Sequence, residues 1–133
     1  MTRINLIAVN KLTDQHLIAE YREITMIPAA LKRTINSSKG LKLNKIPQHF
    51  TLNTGHVYFF YDKGKYLFKR YNLLINEMKK RGFNPDPNRQ FPVQIFIDYN
   101  LFNDWKPSLT DLKIIKKRIR FKINQKPNWY RKT

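Results

Sequence analysis

An amino-terminal amine and a pair of carboxylates could do chemistry in this chain without a metal ion. Thr2 has a small side chain of the type that permits removal of the initiator methionine, which would expose its α-amino group. An α-amino group titrates near ~7.7–8.0, against ~10.4 for lysine, so a sizeable fraction is neutral at pH 7. Such an amine can attack an aldehyde-like carbon and form a Schiff base. The Thr2 amine is thus a candidate nucleophile, with the lysines as alternatives.

Glu20 and Glu23 are three residues apart in a segment with helical periodicity, so they would share one helix face. One interpretation is that both pair with neighbouring arginine and lysine side chains on the helix surface. The other is that one carboxylate stands isolated in a basic cleft beside a nucleophile. The spacing leaves both interpretations open.

The composition argues against several other kinds of catalytic site. The chain has no cysteine, which excludes a thiol nucleophile, a disulfide scaffold and a Cys-ligated metal site. His16, His49 and His56 are too scattered for a metal motif, and the four glycines form no phosphate-binding loop. A two-metal nuclease needs clustered carboxylates, and the chain has only 9 acidic residues. We therefore expect no metal site and no cofactor.

The charge of the chain points to a polyanionic partner. Its 133 residues include 26 Lys and Arg against 9 Asp and Glu, a formal net charge of +17. Because the basic residues are spread along the chain, we expect a folded domain with a basic face rather than a basic tail. Nucleic acid is favoured over an anionic membrane surface. There is no run of ~20 apolar residues and no signal-peptide layout, so an intracellular protein without a membrane span is expected.

Periodicity predicts an all-α fold, a single domain over residues 1–133 with three main helices and long loops. The first helix would begin near Thr13 or Asp14 and reach about Asn36, with an interruption at Pro28. The second would occupy about residues 65–81, and the glycine that follows is suited to a helix C-terminus.

Ser108 and Asp111 are spaced as a capping pair and predict the start of the third helix. Pro127 would end it. Its apolar residues recur every three or four positions, and basic residues cover the remaining surface. The aromatic run at residues 57–61 could be a strand, a buried loop or the start of a helix, and its composition favours a place in the core. Residues 83–105 read mostly as loop.

Trp129 and Tyr130 lie beside basic residues near the end of the chain. Their side chains could be buried in the hydrophobic core if the chain turns back after the third helix. They could equally form a wedge or a stacking platform against bases. Spacing alone does not separate these two interpretations.

Five segments of the chain resemble the endonuclease V-type pyrimidine-dimer DNA glycosylases of phages and large DNA viruses. They read MTRINL, DQHLIAEYRE, GHVYFFYDK, KRGFN and KPNWY, and they occur in the family's order across residues 1–130. The stretch at residues 84–111 matches poorly. The resemblance implies a single all-α domain and a metal-independent, bifunctional DNA glycosylase and abasic-site lyase. Its substrate would be the UV-induced cyclobutane pyrimidine dimer.

The resemblance also implies roles for individual residues. The α-amino group of Thr2 would attack C1′ of the damaged nucleotide, expel the base and leave an imine. Glu23 would stabilise the cationic sugar and imine and assist removal of the C2′ proton, so that β-elimination breaks the strand. Other positions would bind DNA or line the active site: Arg3, Gln15, His16, Arg22, Arg118, Lys122, Trp129 and Tyr130. Met26 departs from the phage members, which have an arginine there.

The implied partner is double-stranded DNA that contains pyrimidine dimers or abasic sites, bound by a monomer without a cofactor, a membrane or an obligate protein partner. The implied location is inside the cell with the DNA, in the cytoplasm or a virus-infected host. Two alternatives stay open. One is a basic, non-catalytic nucleic-acid-binding protein, and the other is a glycosylase of the same fold with a different preferred lesion. Thr2 together with Glu23 favours the enzyme, since a packaging protein needs neither.

Overall fold

The computed structural model describes residues 3–133, so Met1 and the candidate nucleophile Thr2 lie outside the described residues. Within residues 3–133 the regular elements are all helical and no strand occurs, which confirms the all-α prediction. The α-helices in chain order are α1 (Asp14–Glu23), α2 (Met26–Asn36), α3 (His56–Phe59), α4 (Gly64–Lys80), α5 (Gln94–Asp98) and α6 (Leu109–Gln125). Single 3-10 turns lie at Val9–Lys11, Leu43–Lys45 and Phe60–Asp62.

The first predicted helix, which was expected to be interrupted at Pro28, is two helices in the structure, α1 and α2. The chain breaks after Glu23 and restarts at Met26, which puts Pro28 in the first turn of α2. A proline is tolerated there because the first N–H groups of a helix have no intrahelical partner. The run at residues 57–61 is helical and not a strand, and α5 interrupts the predicted loop at residues 83–105.

The helix ends follow the predicted capping residues. The Thr13 hydroxyl accepts a hydrogen bond from the N–H of His16 at 3.1 Å and caps α1. Ser108 and Asp111 form a complete capping box at the start of α6, with distances of 3.1 and 2.9 Å. Gly82 follows α4 with φ +87, the left-handed conformation that glycine adopts without strain. Local chemistry therefore fixes where these three helices begin or end.

The buried residues form one hydrophobic cluster, and the helices pack around it. Helix α1 packs against α4 and α2, and α6 contributes the buried residues Ile115 and Ile119. Phe59 and Phe60 are fully buried, which confirms that the aromatic run belongs to the core. None of the helices found between residues 3 and 133 is long and apolar enough to span a membrane.

Candidate active site

An N-terminal arm, which we define as residues 3–7, lies along α1 and is held there by side chains. Three consecutive backbone N–H groups each donate a hydrogen bond of 3.0 Å to a side chain: Arg3 to Glu23, Ile4 to His56, and Asn5 to Glu20. The Ile4 side chain is fully buried, whereas Arg3 and Asn5 line a cavity on the other side of the arm. The arm is thus fixed in one register against the helix.

The carboxylate of Glu20 is buried and belongs to an ion pair. Arg70 donates to both of its oxygens, at 2.6 and 3.0 Å, and a third nitrogen of the same guanidinium donates to the carbonyl of Ile7 at 2.6 Å. Removing one partner of such a buried pair typically costs about 3–5 kcal/mol. The surface-pairing interpretation is wrong for Glu20, because its arginine partner is in the core, and this pair anchors the arm.

Glu23 is in a different environment from Glu20. It is half-buried at the wall of a cavity of about 240 Å³, and it accepts only the Arg3 N–H among the hydrogen bonds found in residues 3–133. Its surroundings are basic, since Arg3 and Arg118 both interact electrostatically with it. This placement matches the second interpretation of the carboxylate pair, a carboxylate in a basic cleft.

The cavity brings together most of the residues predicted from the sequence. Its lining comprises Arg3, Asn5, Gln15, His16, Ala19, Glu20, Glu23, Arg118, Lys122, Trp129 and Tyr130. These residues come from the arm, from α1, from α6 and from the segment that follows α6. Every predicted site residue within the described part of the chain is in this lining except Arg22.

Arg22 does not line the cavity. Its side chain is exposed on α1, and its carbonyl accepts a hydrogen bond of 3.0 Å from Arg89, whose guanidinium also stacks over the ring of Tyr21 at 4.4 Å. Met26, at the position of the phage arginine, is half-exposed at the start of α2. Any contact that Arg22 makes with DNA would therefore lie outside the cavity.

The cationic groups of the cavity are crowded. Burial lowers the pKa of Arg3, the neighbouring Arg118 lowers it further, and Glu23 acts in the opposite direction. Burial likewise lowers the pKa of Arg118, against the effect of Glu23. Both guanidinium groups stay charged at pH 7 because arginine titrates so far above neutrality. Crowded cations gain from an added anion, so this site favours an anionic group.

His16 and Tyr130 form the aromatic wall of the cavity. Their rings are stacked at 4.8 Å with an interplanar angle of 8°. The Nδ1 of His16 pairs with the Thr13 hydroxyl at 2.7 Å. Burial lowers the pKa of His16, and Arg118 lowers it further, so this ring is neutral at pH 7.

The segment after α6 folds back onto the start of α1. Gln15 donates to the carbonyl of Trp129 at 2.6 Å and accepts from the N–H of Arg131 at 2.9 Å. Asp14 accepts from the N–H of Thr133 at 3.0 Å. Trp129 itself is half-exposed at the cavity rim, so it does not plug the core. Gln15 lines the cavity as predicted and also fastens the aromatic segment to α1.

Three residues that line the cavity or hold the arm beside it were not predicted from the sequence to have these roles: Asn5, His56 and Arg70. His56 and Asn5 lie inside two of the resembling segments, GHVYFFYDK and MTRINL, which is the one signal that pointed to them. Arg70 lies on a predicted helix, where nothing in the local pattern distinguishes it from the exposed basic residues. Among residues 3–133, no group of three or more His, Asp or Glu side chains is placed to hold a metal ion.

The pH dependence of stability tests the buried state of His56. Burial lowers its pKa from 6.5 to about 4. The unfolded chain therefore takes up a proton between these values, and the free energy of unfolding falls as the pH falls. We expect His56 to account for about 3 kcal/mol of this loss between pH 7 and pH 4.

Urea unfolding at several pH values measures this contribution. Carboxylates also titrate in this range, but their effect on stability is the same in each variant and cancels when the variants are compared. A His56→Gln variant should lose less stability than the wild-type protein over this range. His49→Gln, at an exposed position, is the matched control and should behave as wild type. Parallel curves for wild type and His56→Gln would contradict the buried, neutral imidazole.

A comparison with known protein families finds a match over most of the N-terminal two thirds of the chain. Residues 1–91 match the family described as pyrimidine dimer DNA glycosylase, which is more than half of the 133 residues. The matched part includes the arm, Glu23 and His56. The basic and aromatic residues of α6 and of the segment after it lie beyond the match, and the fold brings them to the same cavity. The chain belongs to the pyrimidine dimer DNA glycosylase family.

Proposed function

We propose that this protein excises cyclobutane pyrimidine dimers from duplex DNA and then cleaves the abasic site, with the α-amino group of Thr2 as the nucleophile. One observation carries the proposal, the 3.0 Å hydrogen bond from the Arg3 N–H to Glu23. Arg3 follows Thr2 directly in the chain, so this bond brings the residue next to the proposed nucleophile onto the Glu23 carboxylate. Loss of Met1 is the condition for this chemistry.

The first step breaks the glycosidic bond. The neutral amine attacks C1′, the base leaves with the electron pair of its C1′–N bond and takes up a proton, and the amine nitrogen loses a proton. Positive charge develops on the sugar during this step. The Glu23 carboxylate stabilises that charge, which is worth most in a site from which water is excluded.

The second step breaks the strand. Loss of the second amine proton and opening of the sugar ring give an imine between C1′ and the Thr2 nitrogen. Removal of the C2′ proton, assisted by Glu23, forms a new double bond between C2′ and C3′. The 3′ phosphate leaves with the electron pair of the C3′–O bond, and water then hydrolyses the imine and releases the enzyme.

The proposed lesion and partner agree with the family and with general properties of damaged DNA. A dimer weakens pairing and stacking, so extruding a nucleotide there costs less than in intact duplex. This selectivity needs no reading of the sequence, and the excess of basic side chains holds the DNA by its phosphates. We propose that the protein acts as a monomer and without a metal, since an amine and a carboxylate supply the chemistry.

Strand cleavage on UV-irradiated and unirradiated duplexes, run in parallel with EDTA present, tests this function. We expect cleavage at dimers in irradiated DNA, cleavage at abasic sites in either DNA, and no cleavage of intact DNA. Binding without any cleavage would favour the non-catalytic alternative. Cleavage of abasic sites but not of dimers would favour a glycosylase with another preferred lesion.

We propose that Arg118 contacts a DNA phosphate, and this contact predicts a change in salt dependence. Arg118→Gln should weaken binding and lower the slope of log affinity against log salt by about 0.9, the effect of one lost phosphate contact. Lys116→Gln is the matched control, because Lys116 is an exposed residue of α6 outside the cavity. Titration of a duplex at several salt concentrations measures both slopes. Equal slopes for the two variants would contradict the contact.

A further inference from the structure

His56 holds the N-terminal arm from outside α1. Its Nε2 accepts the N–H of Ile4 at 3.0 Å, and its Nδ1 pairs with the carbonyl of Thr51 at 2.8 Å. A carbonyl accepts only, so the Nδ1 carries the proton and the Nε2 is left as an acceptor. The other two arm contacts of this kind, from Arg3 and Asn5, go to residues of α1.

The imidazole itself is held firmly. It is 1% exposed, and the rings of Phe50 and Phe60 pack edge-on against it at 5.4 and 5.3 Å. Two hydrogen bonds and two aromatic neighbours leave the ring one position. The charged groups that act on it are Arg3 and Arg118, which disfavour a second proton, and Glu20, which favours one.

The position of the ring determines the register of the arm. Ile4 points into the core, while Arg3 and Asn5 on either side of it line the cavity. A slip by one residue would exchange these faces, so that Ile4 would turn toward the cavity and a polar neighbour would turn into the apolar core. It would also displace the arm relative to Glu23 by one residue length, at most about 3.6 Å.

We infer that His56 is a positioning residue for the amine chemistry, because its acceptor nitrogen fixes the arm that carries the nucleophile. The inference rests on the proposed function, in which that nucleophile is the Thr2 amine. His56 touches neither the DNA nor the reacting atoms in this account. It acts through Ile4, by setting the distance between the amine and Glu23.

Two polar variants separate the two hydrogen bonds of the ring. In His56→Gln the longer side chain can present an amide oxygen near the place of Nε2 and accept the Ile4 N–H. In His56→Asn the shorter side chain can reach Thr51 but not Ile4. Two quantities are measured for each variant, the affinity for duplex with a non-reactive tetrahydrofuran abasic analogue and the single-turnover rate of borohydride trapping on abasic duplex.

We expect His56→Asn to bind the analogue as wild type does and to trap about 10–100-fold more slowly, as small displacements of a reacting group do. His56→Gln should recover most of that rate. His49→Asn, at an exposed position, is the matched control and should keep both values. If His56→Asn does not fold, His56→Phe replaces it, since a phenyl ring fills the site but accepts no hydrogen bond.

The outcomes distinguish this inference from the proposed function. Wild-type protein that does not trap abasic DNA overturns both. If the wild-type protein traps normally and the Asn and Phe variants trap at the same rate, the inference alone is overturned. It is also overturned if trapping falls only in proportion to DNA affinity, or if His56→Gln traps no faster than His56→Asn, because His56 is then simply a core residue.

Discussion

A Glu23→Gln variant is expected to bind duplex DNA nearly as well as wild type and to trap and cleave abasic DNA about 10²–10³-fold more slowly. The carboxamide oxygen can still accept the Arg3 N–H that Glu23 accepts at 3.0 Å, so the arm keeps its place. What the substitution removes is the negative charge beside the cationic sugar and the group that assists removal of the C2′ proton. The loss should therefore appear in the rate and not in the affinity.

Single-turnover cleavage of an abasic duplex measures the rate, and the tetrahydrofuran analogue measures the affinity. Asp98→Asn is the matched control, because it makes the same change of charge at an exposed position on α5. Neutralising either acid raises the net charge equally, so a difference between them is local to the site. Cleavage by Glu23→Gln at the rate of Asp98→Asn would show that another group serves as the catalytic carboxylate.

Blocking the amino terminus is expected to have the largest effect of all. A chain that retains Met1, or that carries a Gly-Ser extension before Thr2, should form no trapped complex above background. An amide nitrogen is not nucleophilic, and an added residue moves the new amine away from Glu23. The hydrogen bonds of Arg3, Ile4 and Asn5 do not involve the blocked group, so DNA binding should persist.

The control for this experiment is the same protein before and after the block is removed. A precursor with a protease site placed so that cutting leaves Thr2 first should gain trapping activity on cleavage, with no other change in the chain. Full activity of the blocked form would assign the nucleophile to a lysine. Lys122 lies in the cavity lining, so Lys122→Arg would then be expected to abolish the activity of the blocked form.

Helix boundaries were predictable from the sequence because they depend on neighbours in the chain. Thr13, Ser108 and Gly82 act on residues within one turn, and each ends or begins a helix as its chemistry indicates. Pro28 also signalled an interruption of the first helix, and the structure places the break a few residues earlier, between Glu23 and Met26. The helical state of residues 57–61 was not decided, because so short an apolar run fits either state.

The arm's anchors were not predictable, because each joins residues that are remote in the sequence. Ile4 and His56 are 52 positions apart, and Arg70 and Glu20 are 50 apart. Periodicity predicts which face of a helix is buried, but it does not predict which residue of another element packs against that face. The carboxylates illustrate this limit, since spacing placed Glu20 and Glu23 on one face and only the fold shows that a buried arginine pairs with one of them.

The same limit applies to the far end of the chain. The family match ends at residue 91, and the poorly matching stretch follows it. Arg118 and Lys122 were expected to contact DNA from the resemblance, yet nothing in their spacing shows which side of α6 meets the cavity. That orientation comes from burial of the Ile115 and Ile119 seam in the core, which turns the adjacent face of the helix toward Glu23.

Peptide mapping of the borohydride-trapped complex tests the central claim most directly. Protein with Thr2 first in the chain is reduced with abasic duplex, the DNA is digested away, and the peptide that carries the deoxyribose remnant is found by mass spectrometry. The account predicts that the remnant is on the α-nitrogen of Thr2 in the N-terminal peptide. A remnant on Lys122, or on any other lysine, would contradict it.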